Sequence, residues 1–164
     1  MSRIRAATRE DLPAILEINR EGAPGVSALD LSEATGLLAR STFLRVAEDG
    51  SGVTGYVIVF ASGTPYDGEE YLWFGRRSRD FLYVDQVAVA RNARGRGVAS
   101  ALYADVERAA RDRGLATIVC EVNLRPENPA SLRFHARQGY LEVGRLETRD
   151  GMLVSLLEKK VRDG

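Results

Sequence analysis

The chain has 164 residues, and its 23 Lys+Arg balance 23 Asp+Glu, leaving a formal net charge of +0 with the single His neutral. Apolar residues at 45% and charged residues at 28% are an ordinary globular mix, which excludes a disordered tail and supplies a core that needs no metal or disulfide staple. Balanced charge argues against a surface built for nucleic acid, no apolar run approaches the ~20 residues of a membrane span, and no apolar leader precedes the first charges, so a cytoplasmic protein is expected.

In chain order, a short strand is expected near Ser2 to Ala6. Thr8 with Asp11 has the form of a capping box, and Leu12, Ile15, Leu16 and Asn19 recur at helical spacing up to Gly22. The loop from Gly22 to Ser27 is broken by Gly and Pro, and a second helix covers Leu31 to Ala39. Strands Phe43 to Glu48 and Val53 to Phe60 flank Asp49-Gly50-Ser51-Gly52, a turn sequence. The stretch from Ala61 to Asp80 carries several glycines around Tyr71-Leu72-Trp73-Phe74 and reads as a long loop. Phe81 to Val89 is nearly continuous in apolar residues, as a strand buried on both faces would be. A helix from Val98 to Arg113 follows, with Val98, Leu102, Val106 and Ala109 in one stripe and Gly114 at its stop. With the strand Thr117 to Val122 it makes a β-α-β unit, hence parallel strands and an α/β class. Asn128 fits an N-cap, Pro129 the first helical position and Gly139 the residue past the end of a last helix. Strands Tyr140 to Arg145 and Leu153 to Glu158 close the chain across Asp150-Gly151. No linker or repeat divides residues 1–164, so one domain is expected.

The chemistry starts between the buried strand and its helix, at Arg91-Asn92-Ala93-Arg94-Gly95-Arg96-Gly97-Val98-Ala99-Ser100. A helix N-terminus presents unpaired amide hydrogens and partial positive charge, so a glycine turn there makes an anion cradle, and Arg94 and Arg96 add full charge. The same segment also reads as a plain connecting turn with two solvated arginines. No Lys follows the glycines, which argues against a nucleotide triphosphatase. Gly95 and Gly97 supply two of the three glycines of a dinucleotide fold, Ser100 replaces the last, and a single β-α-β unit is too little for a paired nucleotide-binding sheet.

Val87-Ala88-Val89 followed by Arg94-Gly95-Arg96-Gly97-Val98-Ala99 resembles the Arg/Gln-x-x-Gly-x-Gly/Ala signature of the GNAT superfamily of N-acetyltransferases. Asn128-Pro129-Ala130-Ser131 and Gly139-Tyr140 resemble that family's next block, and the order of elements is similar over nearly the whole chain. The resemblance implies a mixed central sheet of about seven strands flanked by about four helices. It implies acetyl-CoA as acyl donor, with its pyrophosphate on the amides of Gly95 to Ser100 and its pantetheine arm along the backbone of Val87, Ala88 and Val89. Asn128 and Ser131 join the cofactor-binding set on the same grounds. Counting seven residues from the helix Asn reaches the family's frequent Tyr proton donor, which here is His135; Tyr140 and Tyr83 are fallback donors.

Acyl transfer to an amine needs a deprotonated amine, a polarised thioester carbonyl and a proton for the thiolate. His135 donates that proton, only hydrogen-bonds the sulfur, or is a structural histidine. Asp85 is a charge inside an apolar strand, a costly placement unless it accepts the amine proton or is salt-bridged near the strand start. Asn19 faces inward, to touch substrate or to satisfy a backbone group. Asp30, Glu21, Glu69 and Glu70 attract a cationic amine or are solvated charges. Trp73 and Phe74 wall an acceptor pocket or cover a sheet edge or partner subunit. Arg76, Arg77 and Arg79 form a small basic cluster that reads as a solvated face, with nucleic acid the other reading. Cys120, the only cysteine, reads as core, and one His with one Cys implies no metal. The expected acceptor is a small-molecule or peptide amine, with no nucleic-acid or membrane partner and a possible homodimer. The alternative from another class is a non-catalytic acyl-CoA sensor; a weaker third is a dinucleotide oxidoreductase.

Overall fold

The computed structural model describes residues 2–161. Seven strands form one mixed sheet in the order β1-β2-β3-β4-β5-β7-β6. They are β1 (Arg3–Ala6), β2 (Phe43–Asp49), β3 (Gly52–Ala61), β4 (Phe81–Val89), β5 (Thr117–Arg125), β6 (Leu141–Glu147) and β7 (Leu153–Lys160). The helices are α1 (Leu12–Gly22), α2 (Leu31–Arg40), α3 (Glu69–Arg77), α4 (Val98–Asp112) and α5 (Pro129–Arg137), with one-turn 3-10 helices at Arg9–Asp11 and Arg91–Ala93. β4 and β5 run parallel, Phe81 opposite Thr117, as the crossover through α4 requires. No helix of the described residues is long and apolar enough to cross a membrane.

The chain forms two compact units, Met1–Phe60 with Val84–Val106, and Ala61–Tyr83 with Glu107–Gly164. In the first, β1 pairs antiparallel with β2, and β2 with β3, Phe43 facing Val59. The expected box at Thr8 forms: the Asp11 carboxylate accepts the Thr8 N–H at 2.8 Å and also takes two hydrogen bonds from Arg5. The inner face of α1 is Leu12, Ile15, Ile18 and Asn19, so Ile18 takes the place expected for Leu16. Gly55 lets α4 approach the sheet, because a Cβ there would stand 3.0 Å from both the Ala88 carbonyl oxygen and Val98 Cγ1. That contact sets the height of the α4 N-terminus over β3.

In the second unit, β5 pairs antiparallel with β7 and β7 with β6. The segment expected to be a long loop contains α3, which raises the helix count from about four to five. Glycines 68 and 75 mask it in the sequence. Its signal is electrostatic: Glu69 and Glu70 open the helix and Arg76 and Arg77 close it, each charge opposing the helix dipole. Its inner face buries Tyr71 and Phe74, whose rings pack edge-on or tilted against Phe81 and Tyr83. Trp73 is therefore helical and not a loop residue. It lies against β6, where a Cβ on Gly144 would come within 2.6 Å of its ring, so it covers backbone at the edge of the sheet.

Candidate functional site

The glycine turn is exposed at the surface. Gly95 and Gly97 have φ of +79° and +80°, and a Cβ at either would meet no atom within 4 Å. The first hydrogen bond of the helix runs from Ala101 N–H to the Gly97 carbonyl at 3.0 Å. The amide hydrogens of Val98 and Ala99 therefore precede the helical ladder and point out of the N-terminal end of a 15-residue helix. Left-handed glycines that allow close backbone approach and a helix dipole suit an anionic group such as a diphosphate. Ser100 completes the first turn, half-buried. Arg94 is less simply placed, since its guanidinium bonds the carbonyls of Val89 and Glu21.

On β4 the polar pair Asp85 and Gln86 divides between opposite faces. Gln86 is buried in a cluster with Asn19 and Tyr56: the Tyr56 hydroxyl donates to Gln86 Oε1 at 2.8 Å, and Asn19 Nδ2 lies 3.1 Å and 3.2 Å from Tyr56 Oη and Gln86 Oε1. Asn19 also donates to the Ser27 carbonyl and accepts the Leu29 N–H, both at 2.9 Å. Its polar groups thus hold the backbone of the loop ahead of α2. Gln86 was not anticipated; the signal was a neutral polar residue in an otherwise apolar strand. Burial, with a smaller push from Asp85, raises the Tyr56 hydroxyl to about 12, so it stays protonated. Asp85 is half-buried, as are Val87 and Val89, while Ala88 is buried. Asp30 caps α2, its carboxylate accepting the Glu33 N–H at 2.8 Å while Glu33 reaches back to the Asp30 N–H at 3.1 Å.

The second unit holds the histidine. Asn128 caps α5 as its sequence predicts, accepting the Ser131 N–H at 3.3 Å. His135 is 4% exposed. Its Nδ1 lies 2.8 Å from the Ser131 carbonyl oxygen and 3.3 Å from Ser131 Oγ. A carbonyl can only accept, so Nδ1 carries the hydrogen. Burial pushes the imidazole below its ordinary value, opposed by the Ser131 bond, which keeps it neutral at pH 7. Tyr140 packs edge-on against the ring at 5.4 Å, and burial drives its hydroxyl far above the usual range, which makes it a poor acid. The Tyr83 hydroxyl donates to the Glu121 carboxylate. That pairing joins two parallel strands and was not visible in the sequence. Cys120 is buried in β5, as its pattern predicts.

The histidine's tautomer and burial give a measurable consequence. An imidazole held neutral in the native state resists a proton that the unfolded chain accepts below about pH 6.5, so stability is lost as pH falls through that value. Because the chain has one His, His135→Phe should flatten this part of the profile. Glu70, raised by burial, contributes the opposite slope and is common to both proteins. Urea denaturation of wild type and variant between pH 5 and pH 8 reads the difference, with wild type losing more stability than the variant at the acid end; parallel profiles would show that the histidine titrates normally.

Residues 12–140 match the Acetyltransferase (GNAT) family. No curated protein matches the chain. Among solved structures, Ard1 from Thermoplasma volcanium is similar with a TM-score of 0.80 at 17% identity, covering 99% of both chains. A ribosomal-protein-alanine N-acetyltransferase from Brucella melitensis is 26% identical with a TM-score of 0.73, over 96% of this chain and 99% of that one. The yncA protein of Salmonella typhimurium, solved with its cofactor acetyl-CoA, has a TM-score of 0.71 at 18% identity, covering 100% of this chain and 96% of that one.

Proposed function

The chain belongs to the GNAT acetyltransferase family, and from that premise we propose that it moves an acetyl group from acetyl-CoA to the amine of a small molecule or peptide by direct attack, with both reactants bound together. The observation that carries this reading is the pair of exposed left-handed glycines, at φ +79° and +80°, at the head of α4. Gly95 to Ser100 hold the diphosphate through main-chain amides, and the backbone of Val87 to Val89 pairs with the pantetheine arm. Acetyl-CoA supplies an activated thioester.

The reaction balances simply. The amine lone pair forms the new C–N bond, the electrons of the C–S bond leave with sulfur, and one proton passes from nitrogen while one ends on sulfur. Asp85 takes the proton of the acceptor ammonium, directly or through water. A coenzyme thiol ionises near ~8.5, so its thiolate departs without a strong acid. His135, with its Nδ1 hydrogen committed to the Ser131 carbonyl and its ring buried, is not the donor, and the thiolate takes its proton from solvent. Asn19 and Asp30 act on the acceptor side indirectly, through the loop and helix start they hold.

Release of free thiol from acetyl-CoA in the presence of an amine panel tests the reading. The panel includes a peptide with an N-terminal alanine, given the likeness to the Brucella melitensis protein. Asp85→Asn is expected to lower kcat by about 100-fold, as for loss of a general base, and His135→Phe by less than about 10-fold. Tight coenzyme binding with no thiol release from any amine would favour a sensor and overturn it.

A further inference from the structure

We propose that Arg94 is a positioning residue of the coenzyme turn and not a phosphate ligand. This rests on the reading of residues 95–100 as the coenzyme site. The Arg94 guanidinium donates through Nε to the Val89 carbonyl at 3.3 Å and through Nη2 to the Glu21 carbonyl at 3.2 Å. Glu21 lies in the last turn of α1, where carbonyls have no donor within the helix and carry the negative end of its dipole. A second strap ties the same residue to the same turn: Glu21 Oε1 accepts the Arg91 N–H at 3.0 Å. The one-turn helix Arg91–Ala93 that leads into the glycines is therefore anchored at both of its ends to a single residue of α1.

Two acceptors belonging to separate elements need donors at a fixed spacing. A planar guanidinium provides them, whereas the single ammonium of lysine keeps the charge and loses the fork. Arg96 differs in kind, standing exposed between the two left-handed glycines. Ionic strength separates the two roles, since salt screens an exposed charge acting on a phosphate but leaves an anchoring geometry in place.

The test is calorimetric titration of the full chain with coenzyme A at about 50 mM and about 500 mM NaCl. Arg94→Met and Arg94→Lys are each expected to weaken binding by about tenfold, by the same factor at both salt concentrations. Arg96→Met, which removes an exposed charge beside the turn and no anchoring bond, should weaken it only at low salt. Glu21→Ala removes the Arg91 strap while sparing both arginines and should reproduce a salt-independent loss. Melting temperatures accompany each titration, so that a loss of affinity without a loss of folding marks positioning. An Arg94→Lys protein that binds as wild type, with Arg94→Met losing affinity only at low salt, would overturn the inference and leave the coenzyme reading standing. Wild-type protein that binds no coenzyme A would remove both.

Discussion

Gly97→Val is expected to reduce coenzyme A affinity by at least about 100-fold while the protein remains folded. At φ +80° the residue sits in the left-handed region, which costs an L-residue ~1–2 kcal/mol and a β-branched one more. The chain can relieve that strain only by rotating the turn to negative φ, which swings the amides of residues 97–99 away from a common centre. If the turn holds, the valine side chain occupies the open volume where a diphosphate must sit. Either response removes the cradle. The comparison that isolates the effect is Gly151→Val, in the turn between β6 and β7, where φ is +84° and a Cβ likewise meets nothing within 4 Å. The two variants carry the same backbone penalty and should lose similar melting temperature, but only the first should lose coenzyme binding by titration calorimetry. Equal affinities would show that the glycine turn does not hold the ligand.

The elements that were legible in the sequence are those whose signals are local. Asn128 and Pro129 announce α5 because a cap and a missing N–H are properties of two adjacent residues. The stripe Val98, Leu102, Val106 and Ala109 announces α4 because burial on one face imposes its own period. Helix α3 escaped because it is short, interrupted by Gly75, and stabilised by aromatic packing within its unit more than by intrinsic propensity. The glycine turn could be found, since left-handed backbone demands that residue type. The direction of the Arg94 side chain could not, because a guanidinium beside a phosphate cradle and one folded back on a helix end have the same sequence. The same holds for His135: spacing places it on α5, but its tautomer depends on the carbonyl it meets.

Partner choice among buried polar groups lies furthest from local pattern, and it carries the largest stability effect expected here. Asn19 and Gln86 are 67 residues apart, yet with Tyr56 they form one network closed on the backbone of Ser27 and Leu29. Asn19→Leu keeps the volume and removes an acceptor and a two-hydrogen donor. The Leu29 N–H loses its acceptor, while the Ser27 carbonyl keeps only Gln86 Nε2, at 3.1 Å. With ~1–3 kcal/mol for a polar group left unsatisfied, and Leu29 half-buried, the expected loss is about 2 kcal/mol, still a sizeable part of a domain's ~5–15 kcal/mol. Urea denaturation measures it, and hydrogen exchange at the Leu29 amide should quicken. Asn19→Asp sharpens the test. It places a carboxylate against the Gln86 Oε1 and Ser27 carbonyl oxygens, so burial and repulsion raise the carboxyl's native pKa above its unfolded value. Such a group is tolerated when protonated and costs stability as pH rises, so Asn19→Asp should be less stable than Asn19→Leu at pH 7 and regain stability towards about pH 4. If both variants melt within ~0.5 kcal/mol of wild type, as surface changes do, the network does not hold the loop.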